Sequence, residues 1–336
     1  MKYSVLTLLA TLFVGGPTFG IGDQVPTAGV TAHSGYRVVH GWPELPVGRV
    51  LGAVSGVGID PHGNVFVFHR NDRTWPSSDE LSLAPIVGPA VTVFHADTGK
   101  VITEWGENTF AMPHGLTVDS DHNVWLTDVA LHQVYKFTHD GKLLLTLGER
   151  GVIGNDAIHF NRPTDVVVAA DGTIFISDGY RNTRIVKFSP KGEFISQWGS
   201  EGNGPGEFNV PHGLAMDKAG RILLADREND RVQLFDQAGR FLAQWKSDTI
   251  GRPYGISIAP NDTVLIADGG DQPENPPNRS GVAVLTLDGS TIERFGRWGN
   301  YDGQFRMAHD VAVAPDGAVY VGDIVGGRVQ KFVDGH

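Results

Sequence analysis

Along this chain, short apolar runs alternate with polar turns, and the alternation repeats in one form six times. The copies open on Gly56-Val57-Gly58-Ile59, His114-Gly115-Leu116, Asp165-Val166-Val167-Val168, His212-Gly213-Leu214, Tyr254-Gly255-Ile256 and His309-Asp310-Val311. A turn rich in Gly, Asn and Asp follows each opening, as in Asp60-Pro61-His62-Gly63-Asn64 and Pro315-Asp316-Gly317; these residues tolerate the positive φ angles of tight hairpins. A second apolar run closes on Asp128, Asp178, Asp226, Asp268 and Asp323, and the first copy has His69 at that position. Third runs lie at 91–94, 134–137, 185–188, 232–235, 282–285 and 329–332, and fourth runs end at Trp105, Leu147, Trp198, Trp245 and Phe295. The last copy has no fourth run. Residues 36–42 carry that pattern at the opposite end of the chain.

Recurring four-stranded units predict an all-β, six-bladed β-propeller over residues 36–333, closed by the N-terminal strand pairing with the last blade. Such a swap removes an exposed sheet edge. Asp178, Asp226 and Asp323 are followed a few residues later by Arg184, Arg231 and Arg328, with Gln133 after Asp128. This Asp-loop-Arg pattern resembles NHL-repeat propellers and predicts hydrogen bonds and ion pairs within blades. Before the ring, Lys2 and the apolar stretch 5–14 lead to small residues near Gly20, the pattern of a signal peptide over 1–20, with a linker over 21–35. The expected location is therefore secreted or periplasmic, with no membrane association after signal removal.

Composition narrows the chemistry. Thirty-eight acidic residues against 27 Lys and Arg give a net charge of −11, which argues against a nucleic-acid partner. Zero cysteines exclude disulfides, thiolate metal sites and a Cys nucleophile, so any metal must be held by His, carboxylates or backbone oxygens.

Aligning the blades puts Ser55, His114, Thr164, His212, Tyr254 and His309 at one channel-lining position. The histidines occupy every second blade, so sixfold architecture turns them into a threefold set facing the axis. Three imidazoles with an open fourth position form the pattern zinc uses in catalysis; without register, three channel histidines would be polar filler. Strand direction brings Arg70 and Tyr180 to the same upper face. The connections 71–89, 150–163, 199–211, 269–280 and 297–308, read as links between blades, emerge there too. Arg offers a fork for a carboxylate, and a Tyr beside a cation is a candidate base.

The motifs Phe68-His69-Arg70, Met112-Pro113-His114-Gly115-Leu116, Thr127-Asp128-Val129-Ala130-Leu131-His132-Gln133-Val134, Ser177-Asp178-Gly179-Tyr180, Val210-Pro211-His212, Ala225-Asp226-Arg227-Glu228-Asn229 and Met307-Ala308-His309-Asp310 resemble the peptidyl-α-hydroxyglycine α-amidating lyase family. The resemblance covers nearly the whole propeller. It implies cleavage of the N–Cα bond of a C-terminal α-hydroxyglycine, in a peptide or small N-acyl substrate, to an amide and glyoxylate. It also implies catalytic zinc on His114, His212 and His309, functional roles for Arg70, Tyr180 and Met307, and structural calcium on the carbonyls of Val57 and Leu116 with Asp310. A monomer is expected. Animal members have disulfides, one next to the tyrosine, whereas Arg181 follows Tyr180 here, and the copper monooxygenase that makes hydroxyglycine has no counterpart in this sequence. Two other readings remain: a non-catalytic NHL-type propeller that binds protein or glycan, and, ranked last, a lactonase-like calcium hydrolase.

Overall fold

A computed structural model describes residues 35–270 and 279–335. The leader expected over 1–20 and all but the last residue of the linker lie outside them. Six four-stranded antiparallel sheets form the blades of a propeller. Their first strands are Val54–Ile59, Pro113–Val118, Pro163–Val168, Pro211–Met216, Pro253–Ile258 and Ala308–Val313. These strands contact one another around the axis, and fourth strands such as Leu143–Leu147 and Phe194–Trp198 face outward and are largely exposed. Second strands are buried throughout, so they read as near-continuous apolar runs. Apolar side chains from adjacent blades interdigitate between the sheets; Phe68 and Phe110, for example, meet edge to face at 4.9 Å.

The ring closes as expected, with a shorter strand than 36–42. Only Tyr36–Val38 pairs with the last strand, Arg328–Asp334, Tyr36 lying opposite Asp334 and Val38 opposite Phe332. Two of the loops expected between blades belong within them. Segment 71–89 joins the second and third strands of blade 1, and 269–280 does the same in blade 5. Segments 199–211 and 297–308 do link blades, but each holds a short parallel pair, Ser200–Glu201 with Glu207–Phe208 and Arg297–Trp298 with Gln304–Phe305.

Blade-internal ion pairs occur where expected in blades 3, 4 and 6: Arg184 Nε to Asp178 Oδ2 at 2.9 Å, Arg231 Nε to Asp226 Oδ2 at 2.7 Å and Arg328 Nε to Asp323 Oδ2 at 3.6 Å. Blade 2 is different. Asp128 accepts four backbone amides, from Ala111, Met112, Ala130 and Leu131, while Gln133 turns to the Gly148 carbonyl and the Tyr135 hydroxyl. With no cation at position 133, the chain itself satisfies the buried carboxylate.

Candidate metal centre and its cavity

Every first strand carries a register shift near its start, between Val54 and Gly56, Pro113 and Leu116, Pro163 and Asp165, Pro211 and Leu214, Pro253 and Ile256, and Ala308 and Asp310. A bulge lets a strand re-aim a side chain. The six residues aligned from sequence fall in these bulges, and the three histidines meet at the axis. Ring centroids of His114, His212 and His309 are 4.7, 4.9 and 5.0 Å apart, nearly equilateral. Their ligand nitrogens all lie within 4.8 Å of one another, the one such His or carboxylate cluster among the described residues.

The backbone sets their tautomer. Nδ1 of His114 donates to the Thr164 carbonyl at 2.7 Å, Nδ1 of His212 to Tyr254 O at 3.0 Å and Nδ1 of His309 to Ser55 O at 2.8 Å. A carbonyl only accepts, so each Nδ1 carries the hydrogen and each neutral ring keeps an Nε2 lone pair. Small neighbours allow this close approach: a Cβ on Gly213 would lie 2.4 Å from the Tyr254 oxygen that holds His212. Burial is the first cause holding all three imidazoles below their usual range, His309 down to about 3; adjacent positive charge adds to it.

Three lone pairs therefore converge with one hydroxyl between them. Tyr180 Oη lies 2.9 Å from Nε2 of His114 and 3.3 Å from Nε2 of His212, and its single hydrogen serves one of them. Nε2 of His309 is buried without a hydrogen-bond partner. Uncompensated buried acceptors are costly, and a divalent cation would satisfy all three. The donor set fits zinc: neutral imidazoles oriented by a second layer of carbonyls, with room for a further ligand.

Above the triad a cavity of about 590 Å³ opens to the upper face, lined by Arg70, Trp75, Tyr180, Arg227, Tyr254, Met307 and His309 among others. Arg70 is buried; its Nε donates to the Pro113 carbonyl at 2.9 Å and its Nη2 has no partner. Burial pulls its pKa down to about 10, against the pull of Tyr180 and Asp128, so it remains a cation at neutral pH. Arg227 lies over the rings of Tyr180 and Tyr254 at 5.2 and 4.8 Å, with Nη1 3.4 Å from Tyr180 Oη. Glu228 pairs with Arg227 at 2.9 Å and also with Arg252, whose Nη1 donates to Tyr254 Oη at 2.8 Å.

Thus the sequence-predicted Arg70, Tyr180, Met307, His114, His212 and His309 come together in one place. Sequence reasoning missed Arg227 as a site residue. Its signal was present: Arg227 follows Asp226 as Arg70 follows His69, so the two occupy one blade position three blades apart.

Lower in the channel, Val57, Leu116 and Asp310 line a cavity of about 210 Å³ together with Asp165. Asp310 accepts the amides of Val57 at 2.8 Å and Val311 at 2.9 Å; Asp165 accepts those of Leu214 and Val166, each at 2.8 Å. Burial, and for Asp310 also the charge of Asp165, pushes both carboxyls above their ordinary range. A hard cation on oxygen ligands would relieve that penalty. Asp165 too was missed, although it sits at the blade position of Asp310.

The fold and site together define a six-bladed propeller whose hub gathers three buried imidazoles under an arginine- and tyrosine-lined cavity. A family profile described as "6-bladed beta-propeller" matches residues 155–251. The probable peptidyl-α-hydroxyglycine α-amidating lyase of Caenorhabditis elegans is 33% identical over 303 residues, covering 84% of this chain and 83% of the relative. The chain belongs to the peptidyl-α-hydroxyglycine α-amidating lyase family. Peptidyl-glycine α-amidating monooxygenase B of Xenopus laevis is 38% identical over 308 residues, covering 87% of this chain and 35% of that protein; the chain spans about a third of the length of such relatives. Human NHL repeat-containing protein 3 is 30% identical over 326 residues, covering 89% of this chain and 84% of that one. A streptogramin B lyase structure shares the fold with a TM-score of 0.60 at 12% identity, covering 89% of this chain and 97% of that one.

Proposed function

We propose that this protein cleaves the N–Cα bond of N-acyl-α-hydroxyglycines, small or at a peptide C-terminus, giving an amide and glyoxylate. The observation that carries the reading is the clustering of three carbonyl-oriented imidazoles within 4.8 Å of one another, two of whose Nε2 atoms meet the Tyr180 hydroxyl while the third, on His309, has no hydrogen-bond partner. Zinc on His114, His212 and His309 would supply a Lewis acid that lowers the pKa of the substrate hydroxyl.

The chain's own residues do the rest. Arg70, a cation at the cavity wall whose buried Nη2 has no hydrogen-bond partner, receives the substrate carboxylate. Acting as a phenolate, Tyr180 accepts the hydroxyl proton, with the Arg227 guanidinium beside its oxygen. As the hydroxyl oxygen becomes the glyoxylate carbonyl, the C–N bond breaks and its electron pair goes to nitrogen. Tyr180 then returns the proton to that nitrogen, completing the amide. Met307 lines the wall beside the triad and packs against bound substrate. A calcium ion held by Asp310 with the carbonyls of Val57 and Leu116, and by Asp165, would act structurally. The leader pattern over residues 1–20 supports export to a secreted or periplasmic location.

The reading is tested by incubating purified protein with α-hydroxyhippurate and measuring glyoxylate. Turnover is expected, lost on chelation and restored by zinc. A binding propeller without catalysis, the reading consistent with the similarity to the human NHL-repeat protein, predicts no turnover above background after zinc is restored.

A further inference from the structure

Segment 71–89 is the one long connection within blade 1, and its first residues, through Trp75, form a wall of the cavity. The Trp75 ring lies 5.3 Å from that of Tyr180 and 5.6 Å from the Arg70 guanidinium. No regular strand or helix holds this segment. Its base is tied to the link into blade 2, where the Ile86 amide donates to Phe110 O at 2.7 Å, Asn108 N donates to Ile86 O at 2.9 Å and Arg73 Nη1 reaches Ala111 O at 3.2 Å. Towards blade 3, the stretch around Trp75 is held by the carboxylate of Asp79. Trp75 Nε1 donates to Asp79 Oδ1 at 3.0 Å. Arg162 Nη1 reaches Oδ1 and Oδ2 at 2.8 and 2.9 Å, while its Nη2 reaches the Asp79 carbonyl at 2.8 Å. Arg181 Nη2 donates to Asp79 Oδ2.

The two arginines come from the parts of the molecule that hold the tyrosine. Arg181 follows Tyr180 directly. Arg162 is in the left-handed region at φ +66°; its amide donates to His132 Nδ1 at 3.0 Å and its carbonyl accepts the Tyr180 amide at 3.4 Å. Asp79 is itself left-handed at φ +59°, a turn that aims its carboxylate at both cations. Isolated surface ion pairs contribute little, but a carboxylate shared by two arginines, one of which also holds the backbone carbonyl of the same residue, forms a network in which they do contribute.

We propose that Asp79 is a positioning residue for the site. Its carboxylate clasps segment 71–89 of blade 1 to the Arg162 and Tyr180 segments of blade 3, and thereby holds Trp75 as the wall on which substrate is seated. The proposal rests on the lyase reading for its kinetic consequence, not for the clasp itself. Because Asp79 and Arg181 are partly exposed, the clasp is screened by salt.

Two measurements on the full-length protein test it. In hydrogen–deuterium exchange, peptides within 71–89 should exchange faster in Asp79→Asn than in wild type, and faster in wild type at 0.5 M than at 0.05 M NaCl. In the glyoxylate assay, Asp79→Asn should raise KM about fivefold with kcat within about twofold, and Asp79→Glu should recover part of the loss. KM should depend less on salt in Asp79→Asn than in wild type, where salt screens the clasp as well as the pairing of Arg70 with the substrate carboxylate. Unchanged exchange in 71–89 overturns the clasp; so does a loss confined to kcat, or a KM that does not move. Should Asp79→Asn fail to fold, Arg181→Gln removes one arm alone and is expected to show the same changes at smaller size. If wild type releases no glyoxylate, the lyase reading fails while exchange still decides the clasp.

Discussion

Tyr180 stands where three functions meet: it bonds to two would-be metal ligands, lies under Arg227 and faces the cavity. Replacing it by Phe removes the hydroxyl proposed as proton acceptor and leaves the three imidazoles with their carbonyls. Tyr180→Phe should therefore keep its zinc, measured by elemental analysis, and lose about 10²–10⁴ in kcat. A second residue-scale consequence concerns His132. Burial first and Arg162 second push its imidazole down to about 4, while it accepts the Arg162 amide. Unfolded, it titrates near 6.5, so between pH 6.5 and 4 the unfolded chain binds a proton that the native state refuses. Above pH 6.5 there is no penalty; below it stability is lost. The stability lost between pH 7 and 4.5, read from urea midpoints, should be smaller in His132→Gln than in wild type by roughly 2 kcal/mol. At this scale much was legible in the sequence, because blade alignment is also an alignment of side-chain directions. Arg227 and Asp165 were equally legible, yet each became visible only when positions one past Asp226 and one past Thr164 were compared with Arg70 and Asp310.

The elements owe their precision to a repeated device, a bulge at the start of every first strand and a buried Asp at the end of five second strands. In blade 4 Asp226 is fully buried and accepts the Asn209 amide, the Asn229 and Gln233 side chains and Arg231. Removing its charge strands Arg231, itself 4% exposed. Asp226→Asn should cost about 3–5 kcal/mol in denaturant unfolding, with the fold otherwise intact. Blade 1 solves the same problem with His69, whose Nε2 meets Thr92 Oγ1 at 2.9 Å; Thr92 in turn donates to Glu104. Strand ends were readable because Gly and Asp mark turns with steric necessity. The bulges were not: a register shift leaves the apolar alternation of a short strand nearly unchanged. Nor could apolar pattern tell a loop within a blade from one between blades, since both leave from the same face, and 71–89 and 269–280 were placed accordingly.

Closure is a property of the whole ring. Three residues, Tyr36–Val38, complete the last blade, with Tyr36 stacked on Phe295 at 4.6 Å and Gly35 N bonded to Glu293 of blade 5. Without them Arg328–Asp334 becomes an open edge. Deleting residues up to 41 should lower the melting temperature by about 10 °C and promote association, seen by light scattering. Closure also holds blades 2, 4 and 6 in mutual register, on which the histidine triangle depends. The most direct test of the account is a zinc titration of chelator-stripped protein, with calcium restored, following glyoxylate release from α-hydroxyhippurate. Activity should climb linearly and break at one zinc per chain, and His212→Ala should show neither binding nor turnover. Full activity in stripped protein, or undiminished zinc stoichiometry and turnover in His212→Ala, would contradict it.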